Sequence, residues 1–151
     1  MILAAIGDTP YQIMLILHIV TAMAAFAPIF VHPAILSRLG DAGADVRGPV
    51  LQAMTRNGRM IHAPALLING ILGFGLAGLS DKVYSMSQGW LIAAFLVWVA
   101  MNGLLHAVVL PAEKKLAQGD TAARRRGEAG GAMLSVLLVV MLYLMTFKPG
   151  L

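Results

Sequence analysis

The sequence predicts an all-α membrane protein, an antiparallel four-transmembrane-helix bundle, on three observations. Of its 151 residues, 59% are hydrophobic and only 12% are charged, against roughly 25% charged in an ordinary soluble domain. The apolar residues gather into four long runs, residues 11–36, 61–79, 90–110 and 130–147. None of the 11 Lys+Arg and 7 Asp+Glu falls inside a run. So little charge does not cover the surface of a small water-soluble particle, which excludes a soluble enzyme and a disordered chain. The absence of cysteine excludes a disulfide scaffold.

A helix crosses the ~30 Å hydrocarbon core with about 20 apolar residues. The first run is longer and is expected to tilt, kink or project beyond the bilayer. Pro28 and Pro33 each remove a backbone donor from it, so a straight course is not assumed. It has no basic stretch ahead of it and exceeds a signal-peptide core, so it is expected to stay in the mature protein. The second and third runs each match one crossing. The fourth has a short apolar core, 132–147, which Gly130 and Gly131 can extend. The runs are continuous rather than alternating, and backbone groups in lipid must be satisfied internally, so helices are expected and a barrel is not. The whole chain, 1–151, is read as one integral membrane domain.

Charge sets the expected orientation. Residues 37–60 carry Arg38, Arg47, Arg56 and Arg59, and residues 111–130 carry Lys114, Lys115, Arg124, Arg125 and Arg126. The opposite side has only Lys82 and Lys148. The positive-inside rule then puts both basic loops in the cytoplasm and both termini outside. Tyr11, Tyr84, Trp90 and Tyr143 gather toward the outer interface, as an aromatic belt would. The net charge of +4 is thus a topology signal with some attraction for anionic lipid, and nucleic acid is not an expected partner.

The two halves resemble each other. Pro33-Ala34 leads to Gly40-Asp41 and Arg47-Gly48, while Pro111-Ala112 leads to Gly119-Asp120 and Arg126-Gly127. Two repeated helical hairpins would produce this pattern; so would the general abundance of Pro, Gly and Arg where helices leave a membrane.

Ionisable groups within a membrane are expensive and mark function first. Four histidines qualify: His18 in the outer half, and His32, His62 and His106 in the inner half on three different helices. Helical spacing puts Trp98, Asn102 and His106 on one stripe and nearly aligns His62 with Asn69. Gly70, Gly73, Ala77 and Gly78 supply small residues for close packing, as do Gly103 and Ala107. Imidazole suits iron, copper and zinc, and axial histidine is a common haem ligand. The expectation is haem b on two of His32, His62 and His106, with propionates near Arg38, Arg56 and Arg59. A second option is an outer copper(I) site on His18 and Met14, with Met141 or Met145. A third is a cofactor-free accessory subunit or homo-oligomer docking through its Gly/Ala-rich faces, its histidines satisfied by Asn69, Asn102 or Thr21. No intramembrane carboxylate is available for acid–base work, and Ser80, Ser85 and Ser87 lack a His–Asp pairing.

Leu17-His18-Ile19-Val20-Thr21, running on to Phe30, and the closing Phe147-Lys148-Pro149-Gly150 resemble small uncharacterised bacterial four-span membrane proteins, which implies the bacterial inner membrane. More distantly, the first helix resembles the copper-resistance D family and the membrane-bound haem-containing protoporphyrinogen oxidases. Only His18 carries over from that likeness. The tryptophan usual shortly after this histidine is absent, the matching stretch being Met23-Ala24-Ala25-Phe26.

Overall fold

A helix that leaves the bilayer need not end where its apolar run ends; it continues until a residue breaks it. The computed structural model, which describes residues 6–40 and 42–150, follows that rule. Four helices are long and apolar enough to cross a membrane: Thr9–Leu39, Asp45–Gly78, Gly89–Ala117 and Ala123–Phe147. Among the described residues there are no strands. Both basic segments expected as loops are therefore largely helical. Residues 44–57 form the first half of the second long helix, and residues 110–117 close the third. The connections that remain at this end are short and glycine-bearing, around Gly40 and Gly43 and around Gly119, whose φ of +95° is one that residues with a Cβ rarely adopt. Asp41, part of the loop motif shared by the two halves, lies outside the described residues.

We label the helices α1 (Thr9–Leu39), α2 (Ala44–Asn57), α3 (Ala63–Gly78), α4 (Gly89–Leu104), α5 (Leu110–Ala117) and α6 (Ala123–Phe147). α2 runs into α3 through a π-helical turn, Gly58–His62, in which the Ala63 N–H reaches the Gly58 carbonyl. α4 runs into α5 through a second, Leu105–Val109, closed by the Leu110 N–H on the Leu105 carbonyl. Each turn ends two residues before a proline, Pro64 or Pro111. A proline ring clashes with the carbonyl four residues back, here that of Met60 or Ala107. Both lie inside the widened turns, where the carbonyl has room to swing aside. α1 instead stays α-helical through Pro28 and Pro33.

The helices pack as two hairpins, α1 along α3 and α4 along α6, with α3 touching α4 and α1 touching α6. Ala63 and Leu66 of α3, Met101, Leu105 and Val109 of the third long helix, and Leu134 and Leu138 of α6 form the shared core, against which Phe26 and Ile29 of α1 pack. A smaller core of Leu39, Leu51 and Met54 ties the ends of α1 and α2 to α5 at the basic end. At the opposite end Trp90 is buried and meets Tyr84 edge to face, while Lys148 sits 5.0 Å above the Tyr84 ring. Tyr11 is buried as well. Two of the four aromatics expected near the outer interface are thus packed inside that end of the bundle, and Tyr143, 52% exposed, is free to face lipid.

Small residues decide where helices approach closely. A Cβ on Gly70 would overlap the Trp98 indole, and one on Gly73 would press on the His18 ring. Gly130 gives α6 the same access to Val108 and Val109. Gly70 and Gly73 are therefore used inside this chain, whereas Gly78 and Gly103 meet nothing within 4 Å.

Candidate cofactor site

His62 ends the first π-turn and faces α1. Its Nδ1–H donates to the Ala24 carbonyl at 2.6 Å. That acceptor is available because Pro28, four residues on, has no N–H to offer it. His32, one turn beyond Pro28, points to the same region; its ring centre lies 6.3 Å from that of His62, with the planes at 82°. His32 Nδ1 is 3.0 Å from Glu113 Oε1 of α5, and the two side chains are 16% and 17% exposed. Two imidazoles and one carboxylate from three helices thus meet at the basic end of the bundle.

Glu113 was not anticipated from the sequence, where it stands in a segment read as an exposed loop. No glycine interrupts the chain between Leu104 and Gln118, which leaves the helix room to continue past Pro111, but the seven-residue spacing from His106, two turns of a regular helix, would put Glu113 on the His106 face. The π-turn between them inserts one residue, which rotates everything beyond it by about 100°. His106 is exposed, while Glu113 turns inward to His32.

His106 donates from Nδ1 to the Asn102 carbonyl one turn back, at 3.0 Å. It lines a cleft of about 350 Å³ with Arg59, Ala63, Leu110 and Pro111. The stripe inferred from spacing is real for its first two members: Trp98 Nε1–H donates to the Leu66 carbonyl at 2.8 Å, and the Asn102 amide donates to the Trp98 carbonyl at 2.9 Å. Asn102 Oδ1 is buried with no hydrogen-bond partner among the described residues.

His18 belongs to a separate polar cluster higher on the α1/α3 seam. Its Nδ1 donates to the Asn69 carbonyl at 2.9 Å, and the Asn69 amide returns bonds to the His18 carbonyl at 2.7 Å and to Thr21 Oγ1 at 3.3 Å. His62 and Asn69 both contact α1, as their seven-residue spacing requires. Met14 lies over Gly75 on the same seam, while Met141 and Met145 pack around Trp90, Ala94 and Leu144 on the α4/α6 side. Arg38 is exposed in the last turn of α1.

One feature unites the four histidines: every Nδ1 has an acceptor within 3.0 Å, and no Nε2 has a hydrogen-bond partner among the described residues. For His18, His62 and His106 the acceptor is a backbone carbonyl, which only accepts. Nδ1 must therefore carry the proton, and the neutral ring presents its lone pair at Nε2. Metal-bound histidines are usually held in this way, their second nitrogen donating to a carbonyl or carboxylate. Among the described residues no group of three or more His, Cys, Asp or Glu is placed to hold a metal ion. The arrangement offers pairs of ligands, not a cage.

No protein-family model, curated protein or solved structure matches the chain. The reading of function rests on the residues themselves.

Proposed function

We propose that this chain is an integral membrane redox protein that binds haem b at the basic end of the α1/α3 seam, with His32 and His62 as the axial pair. The observation that carries the reading is the meeting of these two rings at 6.3 Å, each held at Nδ1 and free at Nε2. Both rings keep Nε2, the nitrogen that would bind a haem iron, clear of any hydrogen bond among the described residues. The α1 and α3 helices touch, so admitting a macrocycle requires α1 to draw away below Asn69. Pro28 and Pro33 of α1 and the π-turn before α3 lie at that level.

Bound haem would supply one-electron chemistry. The chain does the rest. Glu113 holds His32 in one orientation, and the Ala24 carbonyl fixes the His62 tautomer. Arg38, about one and a half turns beyond His32 on α1, offers a guanidinium to a propionate at the membrane surface. Arg59 and His106 open onto the neighbouring cleft and stand beside the site rather than in it.

In the cell membrane, a bacterial inner membrane by resemblance, the end carrying nine of the eleven basic residues faces the cytoplasm and both termini face outward. The copper reading has less support, since Met14 lies on the α1/α3 seam while Met141 and Met145 pack on the α4/α6 side. The haem reading is tested by the haem content of protein purified gently from cells supplied with haem. About one haem per chain is expected. None would favour a cofactor-free accessory subunit.

A further inference from the structure

The face formed by α2, the first π-turn and α5 carries a second cleft of about 490 Å³. Its rim holds Arg56, Arg59 and Lys114 together with the neutral polar side chains Gln52, Thr55 and Gln118. No carboxylate lines it, and among the described residues none of the three cations has a hydrogen-bond or ion-pair partner. The one acidic residue of α5, Glu113, does not line the cleft and is held by His32, so that the charged side chain α5 gives the cleft is Lys114. Gly58 keeps α2 and α5 close here, since a Cβ would meet Leu110 at 2.9 Å and Glu113 Oε2 at 3.3 Å. The C-terminus of α5 contributes a partial charge of about −0.5, which three full cations outweigh.

Arg59 also lines the cleft beside His106, whose remaining walls are Ala63, Leu110 and Pro111. The two clefts share Arg59, and apolar side chains line both, Met60 and Ala117 the first and Ala63, Leu110 and Pro111 the second. A soluble anion would leave those apolar walls uncovered, and a neutral lipid would leave the three cations unpaired.

We propose that this paired cleft binds an anionic phospholipid, its phosphate among Arg56, Arg59 and Lys114 and an acyl chain along Ala63, Leu110 and Pro111. Guanidinium pairs recognise phosphate in a bidentate way, and basic pockets between membrane helices select lipid headgroups. Gln52, Thr55 and Gln118 offer hydrogen bonds to the glycerol hydroxyls or the phosphate. The site does not depend on a haem at His32 and His62.

The test is native mass spectrometry of the full chain in detergent, titrated in parallel with phosphatidylglycerol, phosphatidylcholine and inorganic phosphate. Phosphatidylglycerol should be retained at least tenfold more strongly than phosphatidylcholine. R56Q, R59Q and K114Q should each weaken it about fivefold, the effect of roughly one surface charge. These side chains are exposed, so the substitutions leave the bundle folded. The control R124Q/R125Q/R126Q removes three charges on α6 outside the cleft and should leave retention unchanged. Equal retention of the two lipids would overturn the proposal, as would an equal loss in the α6 control. Inorganic phosphate binding as tightly as the lipid would overturn the lipid assignment in favour of a free anion.

Discussion

Pro28 and His62 share one carbonyl: the oxygen of Ala24, which Pro28 cannot engage, accepts the Nδ1–H of His62 at 2.6 Å. The proline that interrupts the α1 ladder thereby creates the interhelical bond that orients the histidine. In an apolar setting an unpaired carbonyl costs about 1–3 kcal/mol, so the two substitutions should not act independently. His62→Ala should destabilise the wild-type bundle more than it destabilises Pro28→Ala, where a restored N–H occupies Ala24. A double-mutant cycle in detergent unfolding should give a coupling of about 0.5–1.5 kcal/mol. Equal costs in the two backgrounds would show that the carbonyl is not shared.

The glycines of α3 divide into two kinds. Gly70 lies against Trp98, whose indole is already fixed by its bond to Leu66, so even Gly70→Ala should cost about 1–3 kcal/mol through overpacking. Gly78 meets nothing within 4 Å, and Gly78→Ala should stay within about 0.5 kcal/mol of wild type. Thermal unfolding of the two variants side by side measures the contrast. Similar losses would contradict the close α3/α4 approach.

Glu113 acts through His32. Glu113→Gln keeps a hydrogen-bond acceptor but removes the charge that makes the imidazole a stronger ligand. Haem titration should show affinity reduced about 10–100-fold, the usual effect of losing such a partner. Unchanged affinity would mean that the pair serves packing alone.

The absence of cysteine makes topology directly testable with single introduced thiols. Thr121 is exposed in the short connection before α6 and avoids the positive φ of Gly119. With the basic end inside, Thr121→Cys should resist an impermeant maleimide in intact cells, and Ser87→Cys, exposed at the other end, should react. The reverse pattern would invert the proposed orientation.

The four spans were legible because burial in lipid leaves only apolar residues over a full crossing. The α1-facing side of α3 was legible because seven residues close two helical turns, aligning His62 with Asn69. Three things were not. The helices outrun their apolar spans, since beyond the bilayer a helix needs only the absence of a breaker. Hydropathy therefore placed Glu113 in a loop. A π-turn adds one residue to a helical turn without altering composition, and the proline that follows is no unique mark of it, since α1 stays α-helical through Pro28 and Pro33. The packing of the aromatic end was hidden as well: Trp90 and Tyr11 have interfacial chemistry, yet both are buried, Trp90 against Tyr84. Depth along the membrane could be counted from the sequence. The partner across the seam could not.

Haem held jointly by His32 and His62 would have a direct spectroscopic signature. Its most direct measurement is the Soret absorption of the haem-supplied wild type beside His32→Ala, His62→Ala, His106→Ala and His18→Ala. A band is expected in the wild type, lost in His32→Ala and in His62→Ala and kept in the other two. A band surviving the loss of either His32 or His62, or vanishing with His106 instead, would contradict it.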